Sequence, residues 1–424
     1  MKKVMCCPVS LLPAALDSEV GYFALYSYAP SGCESVGHIA PSLPTDIRRS
    51  GLAPSVQAWD FATIASSVAA ADKATPREDS ADGWTRMIEL SICLIQPAIW
   101  DASRAELESL LRFLTGDFWT LCFLGGGVKP PKAKRLKKSD ADCVCLLSGG
   151  VDSLVGAIDL TSAARKPLFV SQVVRGDRDT QAKYAIALGG ADRHCQWSFA
   201  VSHPGLSEKS TRARSIVFFA FAALAASAIP STKNLPAEIV VPENGFISLN
   251  VPLGPGRLGS LSTKTTHPIY MEGIQSLWDA LGIQAKLSFP YRDKTKGELL
   301  VECSDQTKLA KLVGDSISCG KYQRHNLTHC GACVPCMVRR AAFLKAGLID
   351  TTAKGYCCQR LIISESSDVA AAAAAYLRYQ DKGVRRFAGG ALSFAPPDER
   401  GRYEDVVARG MDELGHLLSN HGVI

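Results

Sequence analysis

Short apolar runs alternate along the chain with stretches of helical period and with Gly/Pro-rich breaks. Residues 20–26 and the alternating residues 84–92 predict strands. Residues 103–114 have helical spacing, with Ser103 and Glu106 at capping-box positions, and residues 118–124 predict a further strand. Together these predict a small α+β domain over residues 1–128, suited to partner binding, with Trp84, Trp100 and Trp119 as packing residues. Gly125-Gly126-Gly127 and Pro130-Pro131 then break the pattern, which places a domain boundary near residues 130–140. Beyond it, residues 143–147 are short, apolar and followed by glycines, as a buried parallel strand is. Residues 154–160 open a helix and residues 167–174 form the next strand, which makes a βαβ unit with a right-handed crossover. Helices follow at 179–188 and 216–229, and a strand at 239–241 runs into the turn Pro242-Glu243-Asn244-Gly245. The Ala-rich residues 366–376 and the amphipathic residues 402–419 predict a helical extension over 351–424.

At 424 residues the chain exceeds one typical domain. The net charge of +6 is modest, and much of it sits in Lys129, Lys132, Lys134, Arg135, Lys137 and Lys138. This run reads as a solvated basic linker over 129–140, and contact with nucleic acid is its weaker reading. The basic start Met1-Lys2-Lys3 is followed by an apolar stretch broken at Pro8 and Ser10, unlike a signal peptide. The most apolar segment, 216–229, is too short to span a membrane. A cytoplasmic chain is expected, whose fifteen cysteines are thiols or metal ligands and not a disulfide framework.

The chemistry concentrates in two places. Ser148-Gly149-Gly150-Val151-Asp152-Ser153 stands between the strand at 143–147 and a helix. Strand, glycine turn and helix together present unpaired backbone N–H groups to a phosphate. Asp152 fits such a place as a Mg²⁺ ligand or as a helix cap. Ligands of open α/β sheets sit at the carboxyl ends of strands, so residues 172–178, with Gln172 and Arg178, are expected near a nucleotide. Arg212 and Arg214 at a helix start oppose the helix dipole, which a local anion would explain. Residues 257–268 are dense in donors and read as a loop over the site, and Lys296 stands at another helix start. The second place is Cys319, Cys330, Cys333 and Cys336, spaced C-x10-C-x2-C-x2-C, which suits a tetrahedral zinc ion with no open position, an iron–sulfur cluster being the rival reading. His325 and His329 stand close enough in sequence to replace one thiol. Pairs such as Cys6-Cys7 and Cys357-Cys358 read as apolar packing.

The six-residue loop resembles the PP-loop of the N-type ATP pyrophosphatases, which adenylate a carboxylate or carbonyl oxygen and release pyrophosphate. Ser318-Cys319 and the segment from Cys330-Gly331-Ala332-Cys333-Val334-Pro335-Cys336 to Ala346-Gly347 closely resemble the zinc segment of the QueC family, the 7-cyano-7-deazaguanine synthases. The resemblance runs from about residue 140 to about residue 350 and takes in the helix starts at Arg214 and Lys296. It implies an adenine-nucleotide α-hydrolase-like (Rossmann-like) α/β domain over 141–350 that activates 7-carboxy-7-deazaguanine with ATP, so that ammonia forms an amide, which a second activation dehydrates to a nitrile. It also implies that Ser148, Gly149, Gly150, Asp152 and Ser153 bind ATP phosphates and Mg²⁺. Arg214 and Lys296 would then neutralise the leaving group, and the four cysteines would hold zinc. Two departures matter. The family's substrate segment is absent, and Glu243, Asn244, Arg257, Thr265 and His267 stand where its readers are expected. The chain is also nearly twice as long. Both features are similar to QueC-like components of anti-phage defence systems, which implies a partner protein's N-terminal amine as acceptor. Alternatives are a free synthase using ammonia and a tRNA-modifying PP-loop enzyme. The intact loop argues against a non-catalytic zinc scaffold.

Overall fold

The computed structural model describes residues 1–137, 139–229, 235–253 and 264–424. Its strands are β1 (Lys2–Cys7), β2 (Val20–Leu25), β3 (Val36–Ile39), β4 (Met87–Cys93), β5 (Phe118–Leu124), β6 (Cys143–Leu146), β7 (Pro167–Val173), β8 (His194–Ser198), β9 (Val201–Ser202), β10 (Ala237–Val240) and β11 (Ala285–Ser288). The helices of the amino-terminal half are α1 (Leu43–Arg49), α2 (Val56–Ala74), α3 (Pro97–Ala102), α4 (Arg104–Thr115), α5 (Val151–Ser162), α6 (Arg178–Ala187) and α7 (Arg214–Ala226). Those that follow are α8 (Gly245–Ser248), α9 (Pro268–Ala280), α10 (Lys296–Glu302), α11 (Gln306–Leu312), α12 (Val334–Lys345), α13 (Ser367–Ala388) and α14 (Pro397–Asn420).

Two sheets result. The second, in the order β11-β10-β6-β7-β8, is parallel throughout and centred on the strand that precedes the glycine loop. The first, in the order β5-β4-β1-β2-β3-β9, is parallel except for the short antiparallel edge β9. The expected α+β domain is therefore α/β, because helices lie on the crossovers from β3 to β4 and from β4 to β5. Ser103 makes no capping hydrogen bond, so the expected capping box of α4 does not form.

Nor is the amino-terminal region separate. Helix α2 packs on the first sheet and α7 on the second, and the two helices pack on each other. One apolar cluster consequently runs from Val4 through Trp59 and Phe221 to Leu287. Strand β9 also lies beyond the expected boundary, yet it pairs with β3. The basic linker is a pinned strap, since the N–H groups of Ala133 and Lys137 donate to the carbonyls of Leu52 and Gly51 (both 3.0 Å). The carboxyl-terminal extension is helical, as expected, and α13 and α14 bury a second apolar cluster against α8 and α12.

At the start of α7 the backbone of Arg212 and Ala213 meets an anion. That anion is internal. The Asp72 carboxylate at the end of α2 accepts the N–H groups of Arg212 (2.6 Å) and Ala213 (2.8 Å) and pairs with Arg86 (2.5 Å). Asp117 completes the cluster by pairing with Arg77 (2.8 Å) and Arg86 (2.6 Å), with all four charged groups buried. Removing one member leaves a buried charge uncompensated. Asp72→Ala is therefore expected to destabilise the chain by roughly 3–5 kcal/mol, read as a lower midpoint of urea unfolding. An unchanged midpoint would contradict this account.

Candidate active site and thiol cluster

The loop between β6 and α5 is shaped by Gly149, whose φ of +92° lies where a side chain is strained. The first α-helical bond of α5 runs from Leu154 N–H to the Gly150 carbonyl (3.1 Å). Among the described residues, the N–H groups of Val151, Asp152 and Ser153 have no protein acceptor, so the helix end offers an anion three donors. The hydroxyls brace the loop from within. Ser148 Oγ donates to Ser153 Oγ (3.1 Å), and Ser153 Oγ lies 3.0 Å from the Gly150 carbonyl. From outside, Gln181 Nε2 donates to the carbonyls of Ser148 and Gln172 (both 3.2 Å), and Ile317 N–H donates to the Gly149 carbonyl (2.9 Å).

Asp152 points from the first turn of α5 into a buried polar network. One carboxylate oxygen pairs with Lys296 Nζ, and the other accepts Asn244 Nδ2 (2.7 Å) and Asn244 N–H (3.3 Å). Burial alone would raise the Asp152 pKa, but the Lys296 ammonium and the hydrogen bonds from Glu243 and Asn244 hold it below the usual carboxylate value. Burial, and then the Asp152 charge, push the neighbouring Glu243 carboxyl well above its usual value. The hydrogen bond between Glu243 and Asp152 acts in the same direction. Both Asp152 oxygens are thus occupied by protein donors. The side chain does not cap α5, and it faces the cleft.

A cleft of about 310 Å³ opens at the carboxyl ends of β6 and β10. It brings together the expected Ser148, Gly150, Asp152, Ser153, Glu243, Thr265 and Lys296. Phe218, Phe219 and Ile247 form an apolar wall, and Thr266, Ile317 and Pro335 also line the space. Other expected residues lie elsewhere. Gln172 is buried outside the cleft, and its carbonyl helps to hold Gln181. Arg178 is exposed at the start of α6, where its carbonyl accepts Gln196 Nε2 (2.8 Å). Arg214 is exposed, and its charge acts on Asp177, whose pKa burial nonetheless raises to about 6. Asn244 is wholly buried, where it holds Asp152 and caps α8 by accepting Ile247 N–H (3.0 Å). His267 caps α9, its Nδ1 accepting Ile269 N–H (3.3 Å), and packs between Phe113 and Phe394. Burial lowers the His267 pKa to about 4. Arg257 lies outside the described residues. The residues that sequence reasoning missed, such as Gln181, Phe218 and Ile317, act through contacts that no local motif marks.

The four thiols meet as expected. The sulfurs of Cys319, Cys330, Cys333 and Cys336 lie within 4.8 Å of one another, and the Cys319–Cys333 and Cys330–Cys336 separations are both 3.9 Å. A regular tetrahedron with metal–sulfur bonds of about 2.3 Å has edges of about 3.8 Å. The N–H groups of Lys321 and Cys330 donate to the Cys319 sulfur, and Cys333 N–H donates to that of Cys330 (all 3.3 Å), as suits thiolates. This buried group can hold a metal such as zinc. Neither His325 nor His329 joins it. His329 instead accepts Ser318 N–H at Nε2 (3.2 Å) and packs between Tyr322 and Tyr356. The cysteines are all free thiols, but Cys357 is exposed, contrary to the packing expected for it.

The fold and site thus define an α/β protein with two parallel-strand sheets, a helix-end anion cradle over a buried lysine–aspartate pair, and a four-thiol cluster beside it. No protein-family profile, curated protein or solved structure matches the chain. No helix among the described residues is long and apolar enough to cross a membrane.

Because metal binding contributes folding energy, Cys333→Ala is expected to lower bound metal from about one ion per chain to none. Its melting temperature should fall by at least ~5 °C. Elemental analysis and a thermal scan check this, and unchanged metal content with unchanged melting would refute the assignment.

Proposed function

We propose that the chain is a PP-loop ligase resembling the QueC family, which adenylates the carboxylate of 7-carboxy-7-deazaguanine or a close analogue. The observation that carries this reading is the convergence, in one cleft, of the open amino end of α5 with the buried Lys296–Asp152 pair. A triphosphate suits the three free N–H groups, and the wall of Phe218, Phe219 and Ile247 suits a flat base. In the first step a substrate carboxylate oxygen attacks the α-phosphorus, the bond to the β-phosphate bridging oxygen breaks, and pyrophosphate leaves. An amine then attacks the acyl carbon, AMP leaves, and the amide forms with loss of a proton. Lys296 has three ammonium protons, of which Asp152 engages one oxygen's worth, so the others can face phosphate oxygens.

The four cysteines are the residues that would hold zinc, which would act structurally because all four positions are taken by protein. Mg²⁺ would screen the phosphates of the nucleotide it arrives with. We assign the acceptor as a partner protein's N-terminal amine, acting in anti-phage defence, on the strength of the resemblance and of the altered substrate segment.

With ATP, 7-carboxy-7-deazaguanine and an amine, the purified chain is expected to form AMP and pyrophosphate. Lys296→Ala should lower that rate by about 100-fold, the scale of losing one preorganised electrostatic donor. AMP formation at the original rate in that variant would sink the reading. A mass increase on a candidate partner supports the protein acceptor, whereas free nitrile alone would replace it with ammonia.

A further inference from the structure

One carboxylate of the carboxyl-terminal helical extension is built into the scaffold of the cleft. Glu413 on α14 is buried, and it reaches the first turn of α10. One of its oxygens accepts the Thr295 hydroxyl, and the other accepts Gly297 N–H (3.3 Å). Thr295 and Gly297 are the two neighbours of Lys296 in the chain. A Cβ at Gly297 would lie 2.5 Å from a Glu413 oxygen, so a side chain there would have to displace the Glu413 carboxylate.

The same helix grips the rest of this turn. Thr295 and Glu298 form a reciprocal capping box, in which Glu298 accepts Thr295 N–H (2.8 Å). Arg409 on α14 pairs with Glu298 and donates to the Asp293 carbonyl (3.0 Å). Contacts therefore run without a break from α14, through the amino end of α10, to the Lys296–Asp152 pair and the glycine loop.

We propose that Glu413 is a positioning residue that holds Lys296 in the cleft by fixing the backbone on either side of it, so that the carboxyl-terminal extension completes the active site without lining it. This rests on the reading of Lys296 as the cation of the cleft. Glu413 is also faced by Glu298, Lys345, Arg409, Asp412 and His416 across a small hollow. Burial raises its pKa to about 7, opposed by the bonds from Thr295 and Gly297. A carboxyl whose folded pKa is raised stabilises the fold most below its ordinary value and loses that contribution as pH rises through about 7.

The test is the reactivity of Lys296 toward an amine-acylating reagent, followed by peptide mass spectrometry on the full chain, with exposed Lys166 and Lys286 as internal references. Glu413→Ala and the shorter, still charged Glu413→Asp are expected to raise Lys296 labelling at least ~5-fold, through local opening of the turn. Glu413→Gln keeps the shape and is expected to stay within ~2-fold of the original. Melting curves should show the native chain losing stability relative to Glu413→Gln as pH rises from about 5 to about 8. Lys296 labelling unchanged in the Ala and Asp variants, with both references also unchanged, would overturn the proposal. So would a Gln variant labelled as fast as the Ala variant. Labelling needs neither ATP nor turnover, so its outcome is separate from that of the proposed reaction. A chain that makes AMP but shows no change in Lys296 labelling loses only the role of Glu413.

Discussion

The buried pair of Asp152 and Lys296 joins everything that surrounds the cleft. An ion pair taken out of water is not stabilising by default, because desolvation of both charges opposes their attraction. This one persists because its remaining hydrogen-bonding capacity is met. Asn244 supplies two donors to Asp152, and a hydrogen bond from Glu243 also helps to hold the Asp152 pKa down. The pair thereby fastens three elements together: the first turn of α5, the turn after β10 and the first turn of α10. Loss of either charge would leave the other buried and uncompensated.

The thiol cluster is tied to the same place through three consecutive residues. Ile317 N–H holds the Gly149 carbonyl, Ser318 N–H holds His329, and Cys319 is itself one of the four thiols. Ile317, Ser318 and Pro335 are also part of the cleft wall. A metal at the cluster would order this segment, and the segment in turn braces the loop at its one strained glycine. The cluster can therefore shape the site without touching a reacting atom, as a closed four-ligand centre requires.

What could be read from the sequence follows the range of the physics involved. Strands β5, β6 and β7 and the glycine loop were legible because short apolar runs and turn residues are local signals. The thiol cluster was legible because its ligand spacing lies within one short segment. Helix α2 was not, since it is buried on nearly all sides between the two sheets and carries no amphipathic period. Missing it hid the parallel crossovers and the shared core. The start of α7 was only partly legible for a similar reason. The anion at the start of α7 is Asp72, 140 residues away from Arg212, and no rule about helix ends can see it. The contact of Glu413 with Thr295 spans 118 residues and leaves no trace in either local pattern.

The network also bears on how a cleft with so few free charges would receive the polyanion of the proposed reaction. At rest the Lys296 charge is balanced by Asp152, so the uncompensated positive potential is that of the α5 amino end. A phosphate oxygen arriving there competes with Asp152 for Lys296. In an ordinary buried pair this would strand the carboxylate, at a cost of several kcal/mol. Here Asp152 would keep both Asn244 donors if Lys296 turned toward a ligand. Lys296 meanwhile does not swing freely, because the backbone on both sides of it is clamped by α14. The arrangement thus favours a short side-chain shift over a movement of the helix, which lets the cation serve the ligand while the scaffold stays closed.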